Sequence, residues 1–309
     1  MERIIVTRNI PGVKEAAKQL PQDWEVWVNP SESSLSRDEL LERSANATAL
    51  LVVGDQIDRE ALSLMPHVKV LSNYGVGLDN IDLAAAEEKG VIVKNLPNEV
   101  SYSTAELAIA LMLACVRRIP EADRLVRREN PFSWTPTIVI GNNLQGKTLG
   151  IIGFGRIGQL VAKMAQAFDM PIIYYNRSRK PEAEKLYNAQ YRDLPDLLKE
   201  ADVVSLHVPG GSETQNLIGE PELQLMKSSA MLINVARGTV VDEAALAAAL
   251  KEKRIAAAGL DVYQNEPAVN PELIALDNVV LTPHIGTTTW ETRTAMTKKA
   301  IDNIYQVLK

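Results

Sequence analysis

Three polar residues stand just past three hydrophobic runs. Arg237 follows Leu232-Ile-Asn-Val-Ala and precedes Gly238, Glu266 lies in Asp261-Val-Tyr-Gln-Asn-Glu-Pro267, and His284 lies in Leu281-Thr-Pro-His-Ile-Gly286. An imidazole, with an ordinary pKa of ~6.5, can give up a proton near neutral pH. A carboxylate beside it holds the imidazolium form by charge and hydrogen bond. A guanidinium can grip a 2-oxo acid carboxylate and stabilise charge developing on a carbonyl oxygen. Singly, Arg237 also reads as a surface ion-pair residue, Glu266 as a loop acid and His284 as a turn residue. In open α/β sheets ligands bind beyond the carboxyl ends of the strands. Three such groups at three strand ends therefore suit the reduction of a ketone, with His284 as the proton donor.

A source of hydride is suggested upstream. Leu149-Gly-Ile-Ile-Gly153-Phe-Gly155-Arg156-Ile157-Gly158 follows a strand pattern and opens a helix pattern, Gln159–Phe168. In that context G-x-G-x-x-G is a dinucleotide fingerprint, whereas alone it is only a glycine-rich turn. Gly153 allows the tight turn, Gly155 lets the backbone approach a pyrophosphate, and Gly158 lets the helix pack on the strand. The helix N-terminus offers N–H groups to the anion. The next strand ends at Asn176-Arg177-Ser178-Arg179, where an enzyme for the unphosphorylated cofactor carries Asp or Glu. A neutral Asn176 with two forked cations suits a 2′-phosphate, so NADP(H) is expected in preference to NAD(H). The alternative is a basic loop that is merely solvated.

The elements that must position these groups alternate along 309 residues. Strands are expected at 3–6, 24–28, 49–53, 68–72 and 91–94, then at 149–152, 172–175, 203–207, 231–235, 257–261 and 279–282. Helices fall between them. Ser36 with Glu39 forms a capping box, Asp58 caps a helix, and Asn80–Lys89 reads as a helix stopped by Gly90. A helix from Ser103 to Arg118 is expected to end at Pro120, and a last one spans Thr288–Leu308. Alternation of this kind implies two doubly wound parallel sheets with a boundary near residue 100.

Composition narrows the partners. A formal net charge of −6 argues against a general nucleic-acid binder or adhesion to an anionic membrane. With Cys115 as the only cysteine, neither an intrachain disulfide nor a thiolate metal cluster is available, and no metal is expected. The longest apolar run, Leu107–Val116, is about half the ~20 residues that span a bilayer. The N-terminus shows no basic, apolar leader pattern, so a reducing, cytoplasmic setting is expected.

The motifs Gly153–Gly158, Asn234-Val-Ala-Arg-Gly238, Gly259–Pro267, Thr282–Gly286 and Asn73-Tyr-Gly-Val-Gly-Leu-Asp-Asn-Ile-Asp82 resemble those of D-2-hydroxyacid dehydrogenases over nearly the whole chain. The resemblance implies a Rossmann coenzyme domain at 100–288. It implies a flavodoxin-like substrate domain at 1–99 and 289–309, the final helix returning to the first lobe. It implies Arg237, Glu266 and His284 as the catalytic set, and the N–H groups of Val76 and Gly77 on the substrate carboxylate. It places Val76, Thr104, His207, Val208, Pro209, Thr214, Val235, Ala236, Asp261, His284 and Gly286 along the cofactor, Asp261 near the carboxamide. The long helix after residue 100 and its arm are expected to build a homodimer.

The Asn-Arg-Ser-Arg loop is most like the glyoxylate/hydroxypyruvate reductase branch, which implies NADPH-dependent reduction of a small 2-oxo acid. A reductase of bulkier acids such as phenylpyruvate, or a non-catalytic dinucleotide-sensing scaffold, are the competing readings. Trp290 stands where smaller residues are common; it either shapes the substrate pocket or is a helix-start core residue. Trp134 either reaches across a dimer or packs the arm. His67 reads as structural.

Overall fold

The computed structural model describes residues 1–129 and 131–309. The chain divides into two compact units, Met1–Val100 with Thr287–Lys309, and Ser101–Gly286. Each is built on an all-parallel sheet.

In the first unit the strands are β1 (Arg3–Val6), β2 (Glu25–Val28), β3 (Ala49–Val52), β4 (Val70–Asn73) and β5 (Ile92–Lys94), in the order β2-β1-β3-β4-β5. That is the flavodoxin-like order. The inner strands are near-continuous Ile, Val and Leu because helices cover both faces, and every residue of β3 is buried. Fully burying each such side chain stabilises by roughly 1.5–3 kcal/mol. The capping box of Ser36 and Glu39 forms, and Asp58 accepts the Ala61 N–H. The helix expected from Asn80 starts later, at Leu83–Glu88, with Asp82 as its cap. Asn80 instead donates to the Asp55 carbonyl and to Asn73. The final helix, Trp290–Leu308, packs in this unit. It buries Met296, Ala300, Ile301 and Ile304, and Ser72 Oγ at the end of β4 donates to its Ala300 carbonyl at 2.9 Å.

The second unit holds β6 (Leu149–Ile152), β7 (Ile172–Tyr175), β8 (Ala189–Tyr191), β9 (Val203–Leu206), β10 (Met231–Asn234), β11 (Ala257–Leu260) and β12 (Val279–Leu281). Their order, β12-β11-β10-β9-β6-β7-β8, contains the Rossmann arrangement with β12 added at one edge. The chain reverses its winding between β6 and β9, so their carboxyl ends form the crevice where such sheets bind ligands. Strand β8 is absent from the sequence expectation; its Ala-Gln-Tyr has no β-branched residue, unlike the equally short β5 (Ile-Val-Lys) and β12 (Val-Val-Leu).

The helix Ser101–Val116 carries the long apolar run and is buried on most of its circumference. It lies so close to β11 that a Cβ on Gly259 would stand 3.0 Å from Leu111 Cβ and 3.2 Å from Cys115 Sγ. Burial pushes the Cys115 thiol up to about 12, which leaves it unreactive. Pro120 does not terminate this helix. The break is Arg118 in the left-handed region (φ 53°), and Pro120 sits in the first turn of a second helix, Ile119–Arg128. Proline is at home there because first-turn N–H groups have no intrahelical partner.

Candidate active site

The glycine loop behaves as its spacing requires. Gly153 has φ +97°, and a Cβ on it would lie 2.6 Å from the His207 carbonyl carbon. A Cβ on Gly158 would lie 2.3 Å from the Gly153 carbonyl oxygen. At Gly155 the same atom meets nothing within 4 Å. Gly155 is the N-cap of the helix Arg156–Ala165 and supplies no side chain to its first turn. The N–H groups of Arg156, Ile157 and Gly158 are first-turn donors without an intrahelical acceptor, and the open space at Gly155 leaves room for a dinucleotide pyrophosphate to approach them. Phe154 anchors the loop from below. Its ring is fully buried and stacks on Tyr174 of β7, with centroids 4.3 Å apart.

At the end of β7, Asn176 bridges two loops: its Oδ1 accepts the Phe154 N–H and its Nδ2 donates to the Ser178 carbonyl. The two arginines differ. Arg177 is exposed and, among the described residues, ion-pairs only with Glu213, itself exposed. Arg179 makes two bonds to Glu184, from Nε at 3.0 Å and Nη2 at 2.7 Å, and lies over the Tyr191 ring. Tyr174 donates to the same carboxylate at 2.6 Å and accepts the Lys180 N–H. The Arg179 and Tyr174 bonds hold the Glu184 carboxyl down at about 2. Glu184 and Glu213 are not evident as partners from the sequence, although Glu184 lies in the first turn of the helix that follows the loop.

His207 continues β9 beside Gly153. Its Nε2 is 2.8 Å from Ser205 Oγ, while Nδ1 is buried with no partner among the described residues. Burial pushes its pKa down to about 3, which favours the neutral imidazole. Val208 and Pro209 follow it, and Thr214 ties the loop by donating to the Pro209 carbonyl at 2.7 Å. Val235 and Ala236 occupy the matching place after β10 and are buried.

A carboxylate and an imidazole pair beyond β11 and β12. Glu266 Oε2 lies 2.7 Å from His284 Nδ1, and Glu266 Oε1 accepts the Tyr263 N–H at 2.9 Å. Burial alone would raise the Glu266 pKa. The bonds from His284 and Tyr263, with the fields of His284 and Arg237, outweigh it and hold the carboxyl below its ordinary range. Arg237 is brought in by packing: a Cβ on Gly238 would overlap the Tyr263 carbonyl carbon at 1.9 Å, so the two loops touch backbone to backbone. Asn234 shapes the same turn, accepting the Ala236 N–H and donating to the Arg237 carbonyl.

His284 itself has φ 53°, a conformation that side-chain-bearing residues seldom adopt. Asp261 is what holds it. This carboxylate is 1% exposed and accepts Thr282 Oγ1 at 2.6 Å and the Ile285 and Gly286 N–H groups at 2.8 Å each. The family resemblance places Asp261 near a cofactor carboxamide. Its three bonds position the Thr282–Gly286 turn that carries His284, a role the sequence does not reveal. Thr104 backs the same loop, its Oγ1 lying 3.5 Å from the Gly286 carbonyl.

In the first unit, Val76 and Gly77 follow β4 on a loop whose carbonyls are tied by asparagine side chains: Asn73 to Gly77 and Asn95 to Val76. Trp290 opens the final helix and is 78% exposed, so it is not a core residue of that unit. Trp134 is 71% exposed.

The chain is similar to known proteins over nearly its whole length. Residues 109–286 match the model of the D-isomer specific 2-hydroxyacid dehydrogenase NAD binding domain. The chain is 48% identical to a glyoxylate reductase of Thermococcus litoralis, over 99% of this chain and 94% of that one. It superposes on the crystal structure of a glyoxylate reductase from Paecilomyes thermophila with a TM-score of 0.89 at 34% identity, covering 100% of this chain and 95% of that one. An NADPH-dependent glyoxylate/hydroxypyruvate reductase of Sinorhizobium meliloti, solved with NADP and malonate, gives a TM-score of 0.84 at 30% identity over 100% of this chain and 94% of that one. With a glycine loop, a carboxylate–imidazole pair and this likeness along its whole length, the chain belongs to the D-isomer specific 2-hydroxyacid dehydrogenase family.

Proposed function

We propose that this chain reduces a small 2-oxo acid, glyoxylate or hydroxypyruvate, to the D-2-hydroxy acid with NADPH. The carrying observation is the 2.7 Å pairing of Glu266 with His284 at the carboxyl edge of the sheet that bears the glycine loop. When bound, a reduced nicotinamide dinucleotide supplies the hydride. The chain's own residues do the rest. Val76 and Gly77 hold the substrate carboxylate through their N–H groups. Arg237 orients the acid and stabilises charge on the keto oxygen. His284 delivers its proton to that oxygen as the carbon takes the hydride, and Glu266 balances the imidazolium before transfer. Gly153–Gly158 receive the pyrophosphate.

The preference for NADPH rests on a neutral Asn176 and on Arg177 and Arg179 as 2′-phosphate ligands. It is supported by the NADP-bound Sinorhizobium relative. Oxidation of NADPH and of NADH followed at 340 nm, with a panel from glyoxylate to phenylpyruvate, tests the proposal. Arg177→Ala should raise the KM for NADPH far more than that for NADH. Equal effects refute the phosphate assignment, and tight cofactor binding without turnover on any acid favours a sensing scaffold.

The working form is a homodimer. None of the residues of the helix Ile119–Arg128 is buried, and Ile119, Val126, Phe132, Trp134 and Ile140 present large apolar surfaces within a short stretch. A concavity of about 710 Å³, lined by Cys115, Arg118, Met231 and Val280 among others, adjoins this segment at the amino ends of the strands, away from the chemistry. A second copy would cover these surfaces. The single buried cysteine accords with the reducing cytoplasm.

A further inference from the structure

In the first unit, two consecutive peptide groups are held by the same short segment. The Gly75 carbonyl accepts the Leu96 N–H at 2.9 Å, and the Val76 carbonyl accepts Asn95 Nδ2 at 2.8 Å. Both donors come from the residues just past β5. A trans peptide sends its C=O and its N–H in opposite directions. Tying the Gly75 and Val76 carbonyls to Asn95–Leu96 therefore turns the Val76 and Gly77 N–H groups away from that segment together. Neither N–H has an acceptor among the described residues. Two successive N–H groups so aimed make an anion-binding concavity. The Asn95 bond also polarises the Val76–Gly77 peptide, strengthening the Gly77 N–H as a donor.

The surroundings hold this arrangement. The next carbonyl, Gly77, accepts Asn73 Nδ2 at 2.7 Å, and Asn73 is in turn bonded by Asn80. Asn303, buried on the final helix, donates to the Asn95 carbonyl at 3.4 Å. Tyr74, just before the loop, donates to the Arg293 carbonyl at the start of the same helix.

We propose that Asn95 is the positioning residue that aims the Val76–Gly77 N–H pair at the carboxylate of the substrate. This rests on the reading that the pair binds that carboxylate. Asn95 touches no reacting atom; it acts through the Val76 carbonyl.

The test separates the two ideas. Uniformly ¹⁵N-labelled protein saturated with NADPH is titrated with oxamate, an unreactive carboxylate probe. In the wild type the Val76 and Gly77 amide resonances should shift; if they do not, the carboxylate reading itself fails. In Asn95→Ala the oxamate Kd and the KM for glyoxylate should rise about fivefold to tenfold, the worth of one hydrogen bond. The KM for NADPH and kcat should stay within about twofold. Asn95→Asp keeps the shape and lacks the donor, so it should bind oxamate no better than Asn95→Ala. Should the wild-type amides shift while Asn95→Ala binds oxamate as tightly as wild type, positioning is wrong and the reading stands. Rescue by Asn95→Asp, or a parallel loss of NADPH affinity, would mark Asn95 as merely structural.

Discussion

Glu266 Oε2 and His284 Nδ1 are 2.7 Å apart, which leaves Nε2 as the ring atom without a protein partner among the described residues. The carboxylate thus fixes the orientation of the ring and, in the proposed reaction, leaves Nε2 to face the substrate. His284→Ala removes the proton donor and should lower kcat by at least ~10²-fold. Glu266→Gln keeps a hydrogen-bonding group at the ring but loses the charge, so its kcat should fall less. The KM for NADPH should hardly change in either. Steady-state kinetics with glyoxylate decide this, and near-normal turnover in His284→Ala removes it from its role.

The same pair predicts a pH dependence of stability. The folded-state pKa of Glu266 lies below its ordinary 4.5. The folded protein therefore favours the ionised form, and the stabilisation is full above about pH 4.5 and lost as pH falls through the lower folded value. Glu266→Gln has no such group to protonate. Its Tm should decline less steeply than that of wild type below about pH 4.5, with the two curves converging as acid is added. Parallel curves measured by differential scanning calorimetry would show that Glu266 contributes nothing through its charge.

Asp261 carries a larger structural load than its sequence neighbourhood suggests. Its buried carboxylate accepts three bonds from Thr282, Ile285 and Gly286. Asp261→Asn sets an amide N–H against at least one of those donors. Loss of a charged hydrogen bond in a buried site costs about 1.5–3 kcal/mol. Urea unfolding should show a drop of that order, and kcat should fall with it because the turn bearing His284 relaxes. Full stability together with full activity would show that the Thr282–Gly286 turn holds itself.

What the sequence discloses and what it hides follow from range. Arg237, Glu266 and His284 are legible because each sits at a fixed offset from a strand, and strand order alone sends them to one edge. The glycine loop is legible because three of its positions have separate steric reasons. Asp261, Glu184 and Asn95 have their identities in plain view, but their partners are backbone or side-chain groups that only folding brings near. The Asn95–Val76 bond spans 19 positions and the Asp261–Gly286 bond spans 25. No periodicity encodes such pairings. Pro120 misleads for another reason: proline disfavours a helix interior yet suits a first turn, and only the left-handed Arg118 tells which applies. The strand Ala189–Tyr191 hides because Ala-Gln-Tyr lacks the β-branched residues that disclose the equally short Ile92–Lys94 and Val279–Leu281.

The glycines of the dinucleotide loop offer two substitutions with opposite signatures. At Gly155 an added Cβ points into clear space, and the backbone (φ −82°, ψ −158°) is one that alanine adopts freely. Gly155→Ala should therefore fold with a Tm close to that of wild type. The methyl group would nonetheless occupy the approach to the helix N-terminus, so the KM for NADPH should rise severalfold or more. At Gly158 the added carbon would stand 2.3 Å from the Gly153 carbonyl oxygen, a backbone atom that cannot move without opening the turn. Gly158→Ala should lose stability outright, by about 1–3 kcal/mol or more for an overpacked site. Paired thermal melts and NADPH titrations of both variants read the contrast directly. A Gly155→Ala protein that binds NADPH like wild type would mean that the pyrophosphate does not lie over this loop.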